Sequence, residues 1–127
     1  MHSNSDTFSF SGRIRSGVHA VEGIIEMLRS QHNAWVHLAA TVVVIAAGWL
    51  LGVSAVQWCF LILVMMAVWV AEALNTAFEL LCDVASPEFH PLVKKSKDVA
   101  AGAVLLSAVG AASVGAIIFA PLILQSW

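Results

Sequence analysis

The chain has 127 residues, of which 60% are hydrophobic and 11% charged, with a mean hydropathy of +0.88. A water-soluble domain carries about a quarter charged residues, so this chain has too little polar surface to wrap a soluble globule, and its length argues for one domain. The net charge of −2, without a dense basic stripe, gives no support for nucleic-acid binding.

Residues 1–11 read as a polar, Ser-rich, disordered leader, with His2 in the tail, and residues 12–127 as a single membrane domain. No apolar signal segment opens the chain, so insertion is expected through its own spans. Between Gly12 and Ser30 the apolar residues Ile14, Val18, Val21, Ile25 and Leu28 recur at helical spacing, with Arg13, Glu22, Glu26 and Arg29 on the other side. The run is too polar to span a bilayer and fits an amphipathic helix lying in the interface.

Three apolar runs follow, at about 34–53, 56–82 and 99–119, each long enough to cross a hydrocarbon core that needs about 20 residues. Leu51-Gly52-Val53-Ser54 reads as a tight turn in which Ser54 caps the second span. That span is longer than a bilayer requires, so its last two turns should protrude or be shielded by protein. Asp83–Asp98 reads as a polar connector whose Ser86-Pro87-Glu88 has the form of a helix start, and Pro121 is expected to stop the third span. Ala103, Ser107, Ala111 and Gly115 form a small-residue stripe suited to close helix packing, including packing against another copy of the chain. The fold class is therefore all-α: three transmembrane helices preceded by a surface helix.

All six basic residues fall in two places, Arg13, Arg15 and Arg29 before the first span and Lys94, Lys95 and Lys97 between the second and third. The positive-inside rule puts the N-terminus and the second connector in the cytoplasm and the C-terminus outside, with Trp127 at the outer interface. Trp35, Trp49 and Trp58 fall near span ends as anchors, whereas Trp69 lies deeper and is expected to face lipid or substrate tails. Cys59 and Cys82 sit in apolar runs, outside any Cys/His cluster, and read as reduced, buried hydrophobes rather than zinc ligands. His19, His32 and His37 read singly as interfacial polar residues, and His90 as a residue that could border a nucleotide site.

The chemistry concentrates in the second span. At 100° per residue Glu72, Asn75, Thr76, Glu79 and Asp83 share one stripe about 100° wide. Each carboxylate in an apolar helix costs about 2.5–3.5 kcal/mol at mid-membrane. For a lone Asn or Glu, polar glue between helices would be the simpler reading. A clustered Glu-x-x-Asn-x-x-x-Glu, followed by three lysines, instead suits metal-bound phosphate: the acids hold a divalent ion and the lysines neutralise phosphoryl oxygens. Lys97 and Asp98 abut the third span and are the stronger site candidates; Lys94 and Lys95 also fit a topological role. No Walker-type or kinase-type glycine loop is present. The alternative from another class is a small proton- or cation-linked transporter or channel, with Glu72 and Glu79 as relay carboxylates.

Ala71-Glu72-Ala73-Leu74-Asn75-Thr76-Ala77-Phe78-Glu79, Asp83, His90-Pro91-Leu92 and Lys97-Asp98-Val99-Ala100-Ala101-Gly102-Ala103-Val104, with His32-Asn33-Ala34-Trp35-Val36-His37 before the first span, together resemble the prokaryotic diacylglycerol kinase family, and within it the undecaprenol kinase branch. The resemblance extends from Arg15 to Pro121. It implies a homotrimer in the bacterial cytoplasmic membrane, with active sites shared between subunits, that phosphorylates a lipid alcohol with MgATP. By motif position Glu72 would be the general base and Asn75 a positioning group between it and Glu79, a Mg²⁺ ligand. Glu88, His90, Lys97 and Asp98 would lie at the nucleotide. Arg15, Asp83 and Lys94 are weaker phosphate or substrate contacts. One position departs from the family pattern: Gln31 stands where a second acidic metal ligand is usual, so it offers an amide oxygen without negative charge, and Glu26 is the nearby acid that could compensate.

Overall fold

The computed structural model describes residues 7–125, and the positions of His2 and Trp127 lie outside them. Four helices follow in order: α1 (Phe10–Ser30), α2 (His32–Leu51), α3 (Ala55–Ala85) and α4 (Pro91–Gln125). The last three are long and apolar enough to cross a membrane. Helix α1 begins at Phe10, inside the stretch read as leader, because Ser9 caps it by accepting from the Gly12 N–H at 3.2 Å. Its Ile14, Val18 and Val21 are exposed, while Met27 is buried near its end.

Gln31 joins α1 to α2 and belongs to both caps. Its extended backbone (φ −118°, ψ 118°) breaks the helical run, its N–H bonds the Met27 carbonyl and its carbonyl accepts from Ala34. At the opposite end Gly52, in the left-handed region at φ 67°, closes α2. Ser54 then opens α3 with a reciprocal capping box: its Oγ accepts from the Gln57 N–H and Gln57 Oε1 accepts from the Ser54 N–H. The expected turn and cap are present.

Helices α3 and α4 form the most extensive pairing, and α2 lies against both. Near the α2–α3 turn, Val53, Leu61 and Ile118 make a small core flanked by Trp58, Val114 and Leu122. Most large apolar side chains point outward, including Val42, Val43, Leu63, Leu105 and Ile117. Three mutually packed spans cannot bury them, and hydrocarbon or neighbouring protein is the environment they suit. Cys59, expected to be buried, lies on this outward surface, and both cysteines are free. Trp69, expected to face lipid or substrate tails, is half-buried, and its indole Nε1 donates to Thr41 Oγ1 on α2 at 3.0 Å.

Two further boundaries differ from the sequence expectation. Ser86-Pro87-Glu88 starts no helix; the Ser86 N–H still bonds the Cys82 carbonyl, and its hydroxyl donates to the Glu88 carbonyl. Helix α4 starts instead at Pro91, whose fixed φ suits a first helical position. The His90 ring caps it, Nδ1 accepting from the Leu92 N–H at 3.2 Å. Lys94, Lys95, Lys97 and Asp98 therefore stand on α4 rather than in a connector. Pro121 does not stop this helix, which runs on to Gln125. A proline forfeits one backbone bond, and near the end of an apolar helix local adjustment absorbs that loss.

Candidate functional site

The polar stripe of α3 is present, and its burial is graded. Glu72 is fully buried at 0% exposure, Asn75 and Thr76 are buried at 6% and 4%, Glu79 is half-buried and Asp83 is exposed. Thr76 spends its hydroxyl on the Glu72 carbonyl, at 2.8 Å, so it serves its own helix. Both Glu72 carboxylate oxygens and Asn75 Oδ1 are buried without a hydrogen-bond partner. An unsatisfied buried polar group is costly, and three together mark a place built to meet something else. They face a cleft of ≈ 260 Å³ lined by Asn33, His37, Glu72, Asn75, Ala101 and Val104, among others.

His37 is the residue that sequence reasoning passed over. Its Nε2 lies 3.3 Å from Glu72 Oε2, with side chains 15% and 0% exposed. The contact is at ion-pair distance, but the ring N–H is not aligned for a hydrogen bond. A single histidine at the head of a span carries no periodic signal. Only the packing of α2 on α3 reveals its partner.

About two turns beyond Glu72 along α3, Gln31 Nε2 donates to Glu79 Oε2 at 3.0 Å. The two residues assigned to metal by motif are thus neighbours across the α1–α2 junction. Glu26 is exposed. Among the described residues no group of three or more His, Cys, Asp or Glu is gathered to hold a metal ion by itself. That donor set fits Mg²⁺, which is commonly held by one or two protein oxygens together with substrate phosphates.

Beyond Glu79, a second cleft of ≈ 320 Å³ lies between the end of α3 and the start of α4. Asp83, Glu88, His90, Lys94, Lys97 and Asp98 all line it. Lys94 Nζ pairs with Asp98 Oδ2 at 2.6 Å, and Lys97 Nζ lies 3.7 Å from Asp83 Oδ1. These pairs are half to mostly exposed, so they hold charge at the rim without stabilising the fold much. The structure therefore gathers six of the sequence candidates in one place. Arg15, exposed on α1, lines neither cleft.

Three apolar spans carrying a buried carboxylate in one cleft and a lysine-rich cleft beyond it define a small polytopic membrane protein with a polar site along one helix. The chain belongs to the prokaryotic diacylglycerol kinase family, whose model matches residues 18–119. It is 39% identical over 107 residues to an undecaprenol kinase of Bacillus subtilis, covering 84% of this chain and 87% of that protein. It is 37% identical over 108 residues to a diacylglycerol kinase of Synechocystis, covering 84% of this chain and 62% of that longer protein. The first match agrees with the branch read from the motifs.

Proposed function

We propose that this protein transfers the γ-phosphoryl group of ATP to the hydroxyl of a membrane lipid alcohol, undecaprenol or diacylglycerol. Membership of the family makes it a membrane lipid kinase, and the names of both relatives support these two substrate classes. The observation that carries the reading is the buried, unpartnered Glu72 carboxylate facing a cleft, on the same helical stripe as the Glu79–Gln31 pair.

In this reading the lipid enters from the bilayer and presents its hydroxyl at Glu72. Glu72 takes the hydroxyl proton as the oxygen bonds to the γ-phosphorus and the bond to the β-bridging oxygen breaks, releasing ADP. Asn75 orients groups between Glu72 and Glu79. Glu79 and the Gln31 amide oxygen would hold Mg²⁺, which supplies charge neutralisation at the phosphates. Lys97 and Lys94 neutralise phosphoryl oxygens from the second cleft, where Asp98, Glu88 and His90 meet the rest of the nucleotide and Asp83 keeps Lys97 in place. Arg15, which lines neither cleft, is a weaker phosphate contact by motif position alone. Little covalent work falls to the protein; positioning and charge supply the catalysis.

The exposed apolar residues of α1 support an interfacial location for that helix. The basic clusters support a cytoplasmic N-terminus and an outside C-terminus. The outward apolar faces and the small-residue stripe of α4 are in keeping with a homotrimer that shares sites between subunits. No observation favours the transporter alternative.

The test is transfer of radiolabelled phosphate from ATP to a panel of lipid alcohols in mixed micelles, with ADP release followed in parallel. Lipid-dependent ADP release with label in one alcohol is the expected result. Proton flux without ADP release would overturn the proposal.

A further inference from the structure

We infer that His37 is a positioning residue for phosphoryl transfer, holding the Glu72 carboxylate in the orientation that receives the lipid hydroxyl. The inference rests on the reading of Glu72 as the base. Four observations carry it.

Glu72 is completely buried, and among the described residues no hydrogen-bond donor satisfies either oxygen. A carboxylate with no donor has no fixed orientation, and a base that wanders loses the alignment on which proton transfer depends. The polar side-chain atom placed to supply one is His37 Nε2, 3.3 Å from Oε2. A small rotation of the imidazole brings its N–H onto that oxygen and leaves Oε1 open to the reacting hydroxyl.

The ring packs on Trp69, and the turn of α2 that carries it is tied to α3. Thr41 Oγ1 donates to the His37 carbonyl at 2.7 Å and accepts from Trp69 Nε1 at 3.0 Å, which ties this turn of α2 to α3. The Trp69 ring meets the imidazole edge to face, at 6.2 Å between centroids and 74° between planes. Trp69 and Glu72 lie three positions apart on one helix, so the same turn of α3 meets the imidazole with its indole and presents the carboxylate to its nitrogen.

Place in the fold gives the fourth observation. His37 lines the cleft that holds Glu72 and Asn75, and it also lines an apolar cleft whose other walls include Val68, Ala111 and Gly115. It stands where the cleft that carries Glu72 and Asn75 meets a more strongly apolar one. That is where the hydroxyl end of a lipid must lie if its hydrocarbon is to stay out of the polar site.

The experiment compares His37→Leu, His37→Gln and Glu72→Gln in the full-length protein in mixed micelles, with kcat, KM for ATP and thermal unfolding measured for each. Glutamine keeps an N–H close to the position of Nε2; leucine fills the space without one. The expected result is a loss in kcat of about tenfold or more for His37→Leu, with KM for ATP held within about twofold, and recovery to within about threefold of wild type in His37→Gln. Wild-type kcat in His37→Leu overturns the inference. Equal losses in both His37 variants that track lowered unfolding temperatures also overturn it, by assigning His37 to packing alone. Wild-type activity in Glu72→Gln removes the base assignment itself. An inactive Glu72→Gln beside a fully active His37→Leu leaves that assignment standing and rejects only the role of His37.

Discussion

Gln31 Nε2 donates a 3.0 Å hydrogen bond to Glu79 Oε2, joining the hinge between α1 and α2 to a residue 48 positions away on α3. The bond uses the amide nitrogen. To serve a metal the amide must turn its oxygen inward, so this contact and metal binding compete for one side chain.

Gln31→Glu should therefore change two things together. Without magnesium, a second carboxylate about 3 Å from Glu79 repels it and lowers the unfolding temperature. With magnesium, the added charge should reduce the concentration needed for half-maximal activity severalfold. A magnesium titration of activity and of thermal unfolding checks both. Identical curves for variant and wild type would place Gln31 away from the metal.

Glu72→Gln preserves shape and removes the proposed base. Lipid phosphorylation should fall by about 10²–10⁴, the usual range for a general base, while KM for ATP stays near wild type because the second cleft is untouched. Steady-state kinetics with saturating lipid measure this. Normal turnover would move the base elsewhere.

Lys97→Met should act on nucleotide affinity rather than on folding. Its partner Asp83 is 70% exposed, and such an ion pair is worth about 0–1 kcal/mol. KM for ATP should rise about tenfold, equivalent to about 1.4 kcal/mol. The unfolding temperature should move little. A variant with unaltered KM for ATP would separate Lys97 from the phosphates.

Gly48 tests the packing of α2 on α3. A Cβ built there would lie 2.5 Å from Trp58 Cη2 and 2.7 Å from Cζ2, and that indole is also packed on Trp49 with centroids 5.7 Å apart. Gly48→Ala should destabilise by about 1–3 kcal/mol, the usual cost of overpacking. Trp58→Phe in the same chain should recover part of that loss. Unfolding of the single and double variants in detergent gives the coupling.

Hydropathy and charge made the three spans legible, because about 20 apolar residues in a row are what a helix needs to cross hydrocarbon and more than a soluble core helix uses. The Ser54 cap was legible for a similar reason, since a hydroxyl before an apolar run has one local use. The start of α4 was not. Lys94–Asp98 has the composition of a loop, yet its Lys94–Asp98 pair, four positions apart, lies along a helix face. Pro87 and Pro91 are equally good helix openers in sequence, and the His90 ring cap that favours the second depends on three-dimensional geometry. Within the site, the α3 stripe followed from angular spacing alone. The meeting of Gln31 with Glu79 was expected only through motif position, and the contact of His37 with Glu72 had no sequence signal.

Helix α3, at 31 residues, is about 46 Å long at 1.5 Å per residue, against a hydrocarbon core of about 30 Å. Its carboxylates are fixed on the helix, but their depth is fixed only by the membrane around it. A thicker bilayer lets the helix stand more upright and draws Glu72 further from the headgroup level, and a thinner one tilts the helix or brings water towards it. The surrounding lipid thus sets the depth of the site, and the length of its acyl chains governs how far Glu72 stands from the headgroups.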